Sequence, residues 1–248
     1  MMRDFEFNKV ERKVYPRTFL SAVFVIFEYD KIGEPDDLVP RVKQYIKDNF
    51  NLDVDLTGED LNFGCSVDND TAGFSYYFSR GSIGVKYFKG DYVSFTETMA
   101  PHVYRLITYV KNVLEMPSLS SAQIRKVNIL NVKTTEGAQM HNFNLETELL
   151  SENLRLNAEA ASGYMDLENP KKLKGIADGN EFEINYGIQH GSLPNGDEFV
   201  GLLLEEIITN SNVRLEDVDD KLREINEKLF DIFHWSISPN MLALMNNE

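Results

Sequence analysis

Two adjacent carboxylates, Glu205 and Glu206, end an apolar stretch that is typical of a strand, Gly201–Leu204. Because neighbouring residues of a strand point to opposite faces, one of the two carboxylates must point toward whatever the other face of the sheet meets. A buried carboxylate needs a cationic partner, and Arg125 is the partner that we predict. A structural ion pair, or plain exposure to solvent, is favoured over acid–base catalysis.

The histidines do not have the spacing of a metal site. No two of them are three to five residues apart, which is the spacing that puts two ligands on one face of an element. His190–Gly191–Ser192 places a base beside a nucleophile, but adjacent side chains rarely aim at each other. We therefore predict no metal, no cofactor and no catalytic residue, and the sequence leans away from an enzyme. The four histidines are His102, His141, His190 and His234.

The remaining chemical motifs have structural explanations. Ser79–Gly84 is the nearest approach to a glycine-rich phosphate loop, but it lies between two strand patterns and favours a hairpin turn. The aspartates Asp217, Asp219 and Asp220 suit the positive end of a helix dipole better than a calcium loop. Lys171–Lys174, the one concentrated basic run, indicates an exposed loop, with a local anion or nucleic-acid contact as the alternative.

Trp235 is the single tryptophan, and it lies beside His234 where a long terminal helix breaks. An indole supplies much apolar area and one hydrogen-bond donor, so it serves there as a core plug or as the anchor of an interface. The core position is favoured. Trp235, His234 and Arg125 are the residues that we predict to take part in binding.

Composition limits the partners. The 248-residue chain has 40 acidic against 25 basic residues and a formal charge of -15, which disfavours general nucleic-acid binding. An acidic surface suits a basic protein partner, or it simply maintains solubility, and we expect a protein partner or a homo-oligomer.

A single cysteine, Cys65, rules out an internal disulfide. With neither a signal peptide nor an apolar run long enough for a membrane, we expect a soluble, cytoplasmic protein.

The first half of the chain follows the order strand, helix, three strands, helix. Phe19–Tyr29 is nearly continuous in hydrophobicity, which is typical of an interior strand covered on both faces. It is preceded by residues 3 to 16, an arm or edge strand. The helices are Asp37–Phe50 and His102–Glu115, and the three strands between them are Phe74–Arg80, Ile83–Lys89 and Tyr92–Thr96.

The second half repeats that order. Ile124–Val132 is predicted as an interior strand and Leu145–Leu156 as a helix. Three strands follow, Gly163–Glu168, Glu181–Gln189 and Phe199–Ile208, with a loop at Asn169–Gly179. The sequence thus predicts an α+β fold with two similar halves, residues 1–118 and 119–248, mainly antiparallel sheets and a long C-terminal helix.

The terminal helix has the most regular pattern of all. It begins near Asp217, and an apolar stripe at three- and four-residue steps predicts one buried face. Ser238–Pro239 then indicates a capped second start for a short helix, Asn240–Met245. The stripe consists of Val218, Leu222, Ile225, Leu229 and Ile232.

Three stretches resemble a sporadically distributed bacterial family of proteins of about this length. They are the proline-preceded strand Tyr15–Tyr29, the strand Arg125–Asn131, which begins with arginine and carries asparagine, and the end of the terminal helix, Leu229–Ser238. The family's double proline before the first strand is absent, and Arg223 and Glu224 stand where it has a histidine. The resemblance implies the fold and implies no reaction.

Two functions stay open on this basis. The first is a non-catalytic protein-interaction or regulatory module of a bacterial accessory system, such as a defence-associated or antitoxin-like one. The second is a ligand-binding protein or enzyme whose pocket lies between the two halves. A flat exposed apolar patch favours the first, and converging polar groups with a shifted ionisable residue favour the second.

Overall fold

One nine-stranded sheet organises the described chain, in the order β2-β3-β4-β1-β5-β9-β8-β7-β6. The computed structural model describes residues 2–31, 33–89, 92–133, 142–160, 171–192 and 198–246. The pairs β1–β4, β2–β3, β3–β4, β6–β7 and β7–β8 are antiparallel. The strands are β1 Leu20–Glu28, β2 Cys65–Asn69, β3 Phe74–Phe78, β4 Ser82–Tyr87, β5 Ser118–Lys133, β6 Glu159–Ala160, β7 Lys171–Ala177, β8 Asn180–Ser192 and β9 Glu198–Arg214.

The structure combines helices with the sheet, so the predicted α+β class is confirmed. A π-helical turn, Phe95–Met99, leads directly into α3. The helices are α1 Pro35–Phe50, α2 Gly58–Phe63, α3 Ala100–Asn112, α4 Asn142–Leu149, α5 Glu152–Asn157, α6 Val218–Ser236 and α7 Pro239–Asn246.

The two strands predicted to be interior are interior. β1 lies between β4 and β5, and β5 lies between β1 and β9. The expectation that β1 is covered on both faces was wrong. Val23, Val25 and Phe27 are fully buried, whereas the alternating Phe24 and Ile26 are only half-buried, so its nearly continuous hydrophobicity does not reflect equal burial of both faces.

Two strands of the predicted first meander, Phe74–Arg80 and Ile83–Lys89, are present as β3 and β4, but the third was assigned to the wrong segment. Tyr92–Thr96 is not a strand: the Ser94 hydroxyl accepts a hydrogen bond from the Glu97 backbone N–H and caps the π-helical turn. The third strand is instead β2, upstream of the other two. β2 has a polar sequence with Val67 as its one buried residue, so it lacks the alternating apolar pattern by which strands are recognised.

The second half contains two further corrections. The segment predicted as a loop at Asn169–Gly179 contains β7, in which Leu173 and Ala177 are buried and Lys172 and Lys174 flank Leu173. The helix predicted over Leu145–Leu156 is divided into α4 and α5, because the Ser151 hydroxyl caps α5 by accepting from the Leu154 N–H. The predicted strand Gly163–Glu168 lies outside the described residues.

The chain divides into two compact units that are interleaved in sequence. The arm unit comprises Met1–Ala22, Arg125–Ile208 and Asn226–Glu248, and the meander unit comprises Val23–Ile124 and Thr209–Ile225. The sequence predicts two halves of one compact unit, with a single boundary after residue 118. One cut does not separate these units because β1, β5, β9 and α6 each contribute residues to both.

The order of element types does recur along the chain. A strand, helices, three strands and a helix are followed by a second strand, helices, three longer strands and a helix. The very short β6 stands outside this pattern. A duplication behind the recurrence stays a prediction.

The terminal helices were predicted correctly. The five apolar residues of the α6 stripe, from Val218 to Ile232, are all buried. The restart at Ser238–Pro239 is present as α7: the Ser238 hydroxyl accepts from the Met241 N–H, and Met241 and Met245 are buried. The chain therefore ends on packed helices, as the stripe and the proline indicated.

Candidate interaction surface

The predicted partner of the acidic pair is present in the arm unit. Arg125 of β5 forms an ion pair with Glu205 of β9, and the side chain of Glu205 is mostly buried. The other oxygen of Glu205 accepts a hydrogen bond of 2.8 Å from the Asn185 amide on β8. Because these three strands are neighbours in the sheet, the contacts join side chains on one sheet face.

The same row continues onto β7. Asn185 also donates to Glu183 at 2.8 Å, and Glu183 pairs with Lys172 at 2.8 Å and with Lys174 at 2.6 Å. Burial opposes ionisation of Glu183, but hydrogen bonds from both lysines and from Asn185 lower its pKa to about 2. The basic run predicted as a loop is therefore half of a strand-to-strand charge row.

Apolar residues lie on the same face as this row. Strand alternation places Val127 and Ile129 with Arg125 on β5, and Leu203 and Ile207 with Glu205 on β9. All four are half-buried. We name this surface the Arg125 face; it consists of Arg125, Val127, Ile129, Lys172, Lys174, Glu183, Asn185, Leu203, Glu205 and Ile207.

The opposite side of the same strands is apolar and covered, and we name it the covered face. It includes Leu173, Ile184, Leu204 and other buried residues of these strands. Within the arm unit, the α4 carboxylate Glu146 reaches Lys171 at this side, at 2.5 Å. The helix and arm contacts described below also fall here.

A second charged group lies within the covered face. Glu206 is 1% exposed and accepts a hydrogen bond of 3.1 Å from the amide of Asn128, while its Oε1 has no hydrogen-bond partner among the described residues. Burial raises the pKa of Glu206 well above its usual value, although Lys126 and Asn128 oppose the shift. Lys126 keeps part of its surface exposed, yet desolvation, with the charge of Arg12, lowers the pKa of its ammonium to about 8.

Trp235 holds an N-terminal arm, residues 3–19, against the arm unit. Its ring meets the rings of Phe5 and Phe7 edge to face, with centroid distances of 6.2 and 5.3 Å. Both phenylalanines also meet Phe182 of β8 at 5.2 Å. Trp235 thus packs on aromatic rings of its own chain and is half-buried, and the choice between a core plug and an interface anchor stays a prediction.

His234 contacts the same arm further along. Its Nε2 is 2.7 Å from the hydroxyl of Tyr15. Partial burial, with the nearby charge of Lys13, lowers the pKa of His234. The arm is fixed at further points by a backbone pairing of Phe5 with Ile176 and by the Val10 N–H, which donates to Asp231 at 3.0 Å.

The meander unit has a polar cluster that the sequence did not reveal. His102 stacks on Phe74, and its Nδ1 lies within hydrogen-bond distance of the Tyr76 hydroxyl, which also accepts from Arg105 at 3.4 Å. Burial, with the charge of Arg105, lowers the pKa of His102 to about 4. A neutral histidine among aromatic rings is a packing element more than a ligand.

The structure therefore does not gather the three predicted binding residues into one site. Arg125 lies on the Arg125 face, whereas Trp235 and His234 lie beneath the arm, and their roles in binding stay predictions. The sequence missed Glu183 and Asn185, and it singled out Lys172 and Lys174 only as part of a basic loop. The signal was present: polar Glu183 and Asn185 alternate with apolar Phe182, Ile184 and Tyr186, so they share one strand face.

The described residues contain no group of three or more His, Cys, Asp or Glu side chains that could hold a metal ion. None of the described helices combines the length and the hydrophobicity that crossing a bilayer requires. His141 and the side chain of His190 lie outside the described residues.

Comparison with known proteins assigns no function to this arrangement. No family model matches the chain, and no curated protein matches it. The resemblance to the sporadic bacterial family therefore stays a prediction, and the functional argument depends on the site itself.

Proposed function

We propose that the protein is a non-catalytic protein-interaction or regulatory module whose partner docks on the Arg125 face. One observation carries the proposal: half-buried apolar residues on β5 and β9 share a sheet face with charged residues at its side. An apolar centre with a polar rim is the anatomy of protein interfaces. The charged row is already paired strand to strand, so it provides directional hydrogen bonds without a large unpaired charge.

The local charge of this face distinguishes it from the rest of the chain. Its ionisable residues are three basic ones, Arg125, Lys172 and Lys174, and two acidic ones, Glu183 and Glu205. The chain as a whole carries a formal charge of -15. A partner that docks here therefore avoids most of the repulsion that an acidic protein would meet elsewhere.

The finer proposal concerns the biological setting. The resemblance described above supports a place in a bacterial accessory system, of a defence-associated or antitoxin-like kind. Such a role requires a protein partner and requires no catalytic group in this chain, which is consistent with the paired state of the charged row.

The proposal is tested by comparing how much partner is recovered with the wild type and with a variant of the Arg125 face. The tagged full-length chain is expressed in cells of its source, and co-purifying proteins are quantified by mass spectrometry. Ile207→Lys places a charge in the apolar part of the Arg125 face and should reduce recovery of a stoichiometric partner by roughly tenfold or more. The matched control is Val14→Lys, because Val14 is an apolar residue that is 84% exposed on the arm.

Two results would contradict this proposal. One is the absence of any protein recovered at about one copy per chain. The other is equal recovery with Ile207→Lys and with the control, provided that both variants melt within about 2 °C of the wild type.

A ligand-binding protein or enzyme is the second candidate, and the Lys126–Glu206 pair favours it. A lysine with a lowered pKa beside a buried carboxylate with a free oxygen is an arrangement found at reactive sites. Pyridoxal phosphate reports such an amine: formation of an imine at Lys126 above pH 8, absent from Lys126→Met, would support this candidate. Failure to label Lys126 in the folded protein would leave the pair with a structural role.

A further inference from the structure

The edge strand β2 presents backbone hydrogen-bonding groups that its sheet does not use. Among the described residues, β2 pairs with one neighbour, β3, and stands at the end of the sheet order. Alternate N–H and C=O groups of such a strand point away from the sheet. Its side chains are exposed except for those of Cys65, which is half-buried, and Val67, which is buried.

Exposed aromatic rings flank this edge. Phe63, the last residue of α2, is 80% exposed, and Tyr77 of β3 is 40% exposed. The Tyr77 hydroxyl lies 3.4 Å from the Phe63 carbonyl oxygen, so the two residues lie at the same end of β2. They offer apolar and cation–π contacts to the side chains of an added strand.

The segment that contains this edge is acidic. Residues 51–79 contain six carboxylates and no lysine or arginine. Asp53 and Asp55 pair with lysines of α1. The other four, Glu59, Asp60, Asp68 and Asp70, have no ion pair among the described residues, and the basic residues that flank the segment in sequence are Lys47 and Arg80.

We propose that β2 binds an extended, basic segment of a protein partner, which adds a strand to the sheet beside Ser66–Asn69. Backbone hydrogen bonds supply the pairing, Phe63 and Tyr77 contact alternate side chains, and Asp68 and Asp70 attract lysine or arginine. This inference rests on the proposed interaction function for its class of partner, but it uses a different surface. The two can therefore fail separately.

The test uses a synthetic eight-residue peptide of alternating lysine and valine, with the full-length protein. Binding is followed by fluorescence anisotropy, and the backbone amide resonances of Ser66–Asn69 report its location by NMR. We expect saturable binding with shifts at these amides. Binding should weaken about tenfold or more when alternate peptide nitrogens are methylated, and equally when glutamate replaces lysine.

Charge variants of the protein complete the test. Asp68→Lys with Asp70→Lys should weaken binding about tenfold, whereas Glu152→Lys with Glu227→Lys, which makes the same change in net charge at exposed helix positions, should change it less than twofold. Ile207→Lys should leave peptide binding unchanged. Lack of saturation at about 1 mM peptide, equal binding of the methylated peptide, or shifts confined to other strands would overturn the proposal.

Discussion

Two charge pairs built from neighbouring residues of the same strands have opposite environments. Arg125 and Glu205 meet on the Arg125 face, whereas Lys126 and Glu206, each one residue further along, point into the covered face. On the Arg125 face the carboxylate keeps a cation and an amide as partners. On the covered face, burial raises the pKa of the carboxylate and lowers that of the ammonium.

The comparison shows that strand alternation, more than residue type, determines the environment of a charged side chain and therefore its role. An exposed or half-buried pair contributes little to stability, typically below about 1 kcal/mol, and remains free to exchange partners. Glu206 and the ammonium of Lys126 lose hydration that their attraction only partly restores. The first pair therefore suits recognition, and the second is a constraint on the core.

The largest expected effect comes from removing the end of the chain that packs in the arm unit. Deleting residues 236–248 removes the buried Ile237, Met241 and Met245, and the backbone bonds of Ser236 to Ser151 and of Ser238 to Leu149. The free energy of unfolding should fall by at least about 4 kcal/mol, and the melting temperature by about 8–16 °C. Calorimetry measures both. A melting point retained within about 2 °C, with loss of an oligomer or partner, would make this end an interface.

Single substitutions should lower stability by less, and the loss should differ between a buried residue of α6 and a residue of the Arg125 face. Leu229→Ala removes a buried side chain of α6 and should cost about 2–5 kcal/mol. Ile207→Ala, on the Arg125 face, should cost less than about 1.5 kcal/mol because its side chain is only half-buried. Urea denaturation of both variants gives the comparison. A loss below about 0.5 kcal/mol for Leu229→Ala would place this residue on an exposed surface.

Sequence reasoning succeeded where the pattern was long. The α6 stripe, the α7 restart and the interior strands β1 and β5 were predicted because many residues repeat one periodicity. It also identified Arg125 as the partner of one glutamate. It could not decide which of Glu205 and Glu206 points to the covered face, because one residue of strand register exchanges the two faces.

The wrongly predicted elements are short and carry little apolar pattern of their own. β2 was missed because an exposed edge strand buries only Val67, and β7 was missed because Lys172 and Lys174 mask the inward Leu173 and Ala177. Tyr92–Thr96 has the composition of a strand, but the cap at Ser94 directs that segment into α3. Short polar elements take their structure from neighbours that a linear sequence does not reveal.

The pH dependence of stability should also depend on the covered-face residues Glu206 and Lys126. The pKa of Glu206 is raised in the folded protein, so the folded state keeps a proton that the unfolded chain releases near pH 4.5. Stability from this group is therefore complete at low pH and declines as pH rises above about 4.5. Lys126, with a pKa lowered to about 8, contributes the opposite slope, but only above neutrality.

Glu206→Gln should remove that decline. Between pH 5 and 7 the free energy of unfolding of the wild type should fall relative to that of the variant, as measured by urea denaturation at each pH. Glu205→Gln is the matched control, because Glu205 keeps both Arg125 and Asn185 as partners. Parallel curves for wild type and Glu206→Gln would show that Glu206 is ionised in the folded protein throughout this range.

The smallest structural effect is expected at Arg125. Arg125→Met removes the ion pair but keeps the apolar stem, and Glu205 keeps its bond to Asn185, so the cost should be about 0.5–1 kcal/mol. Arg214→Met is the control, since Arg214 and its partner Glu216 are both well exposed, and it should cost less than about 0.3 kcal/mol. Urea denaturation in low salt and in 1 M salt measures both losses.

The salt dependence decides how Arg125 acts. The loss should shrink in 1 M salt, where the screening length falls to about 3 Å, because the guanidinium is partly exposed. A salt-independent loss above about 3 kcal/mol would instead indicate a buried charge that the mutation leaves unpaired. Arg125 would then belong with Lys126 and Glu206 as a constraint on folding, and the division between a recognition pair and a core pair would not hold. A small, screened loss of stability combined with roughly tenfold weaker partner recovery would separate recognition from folding at this residue.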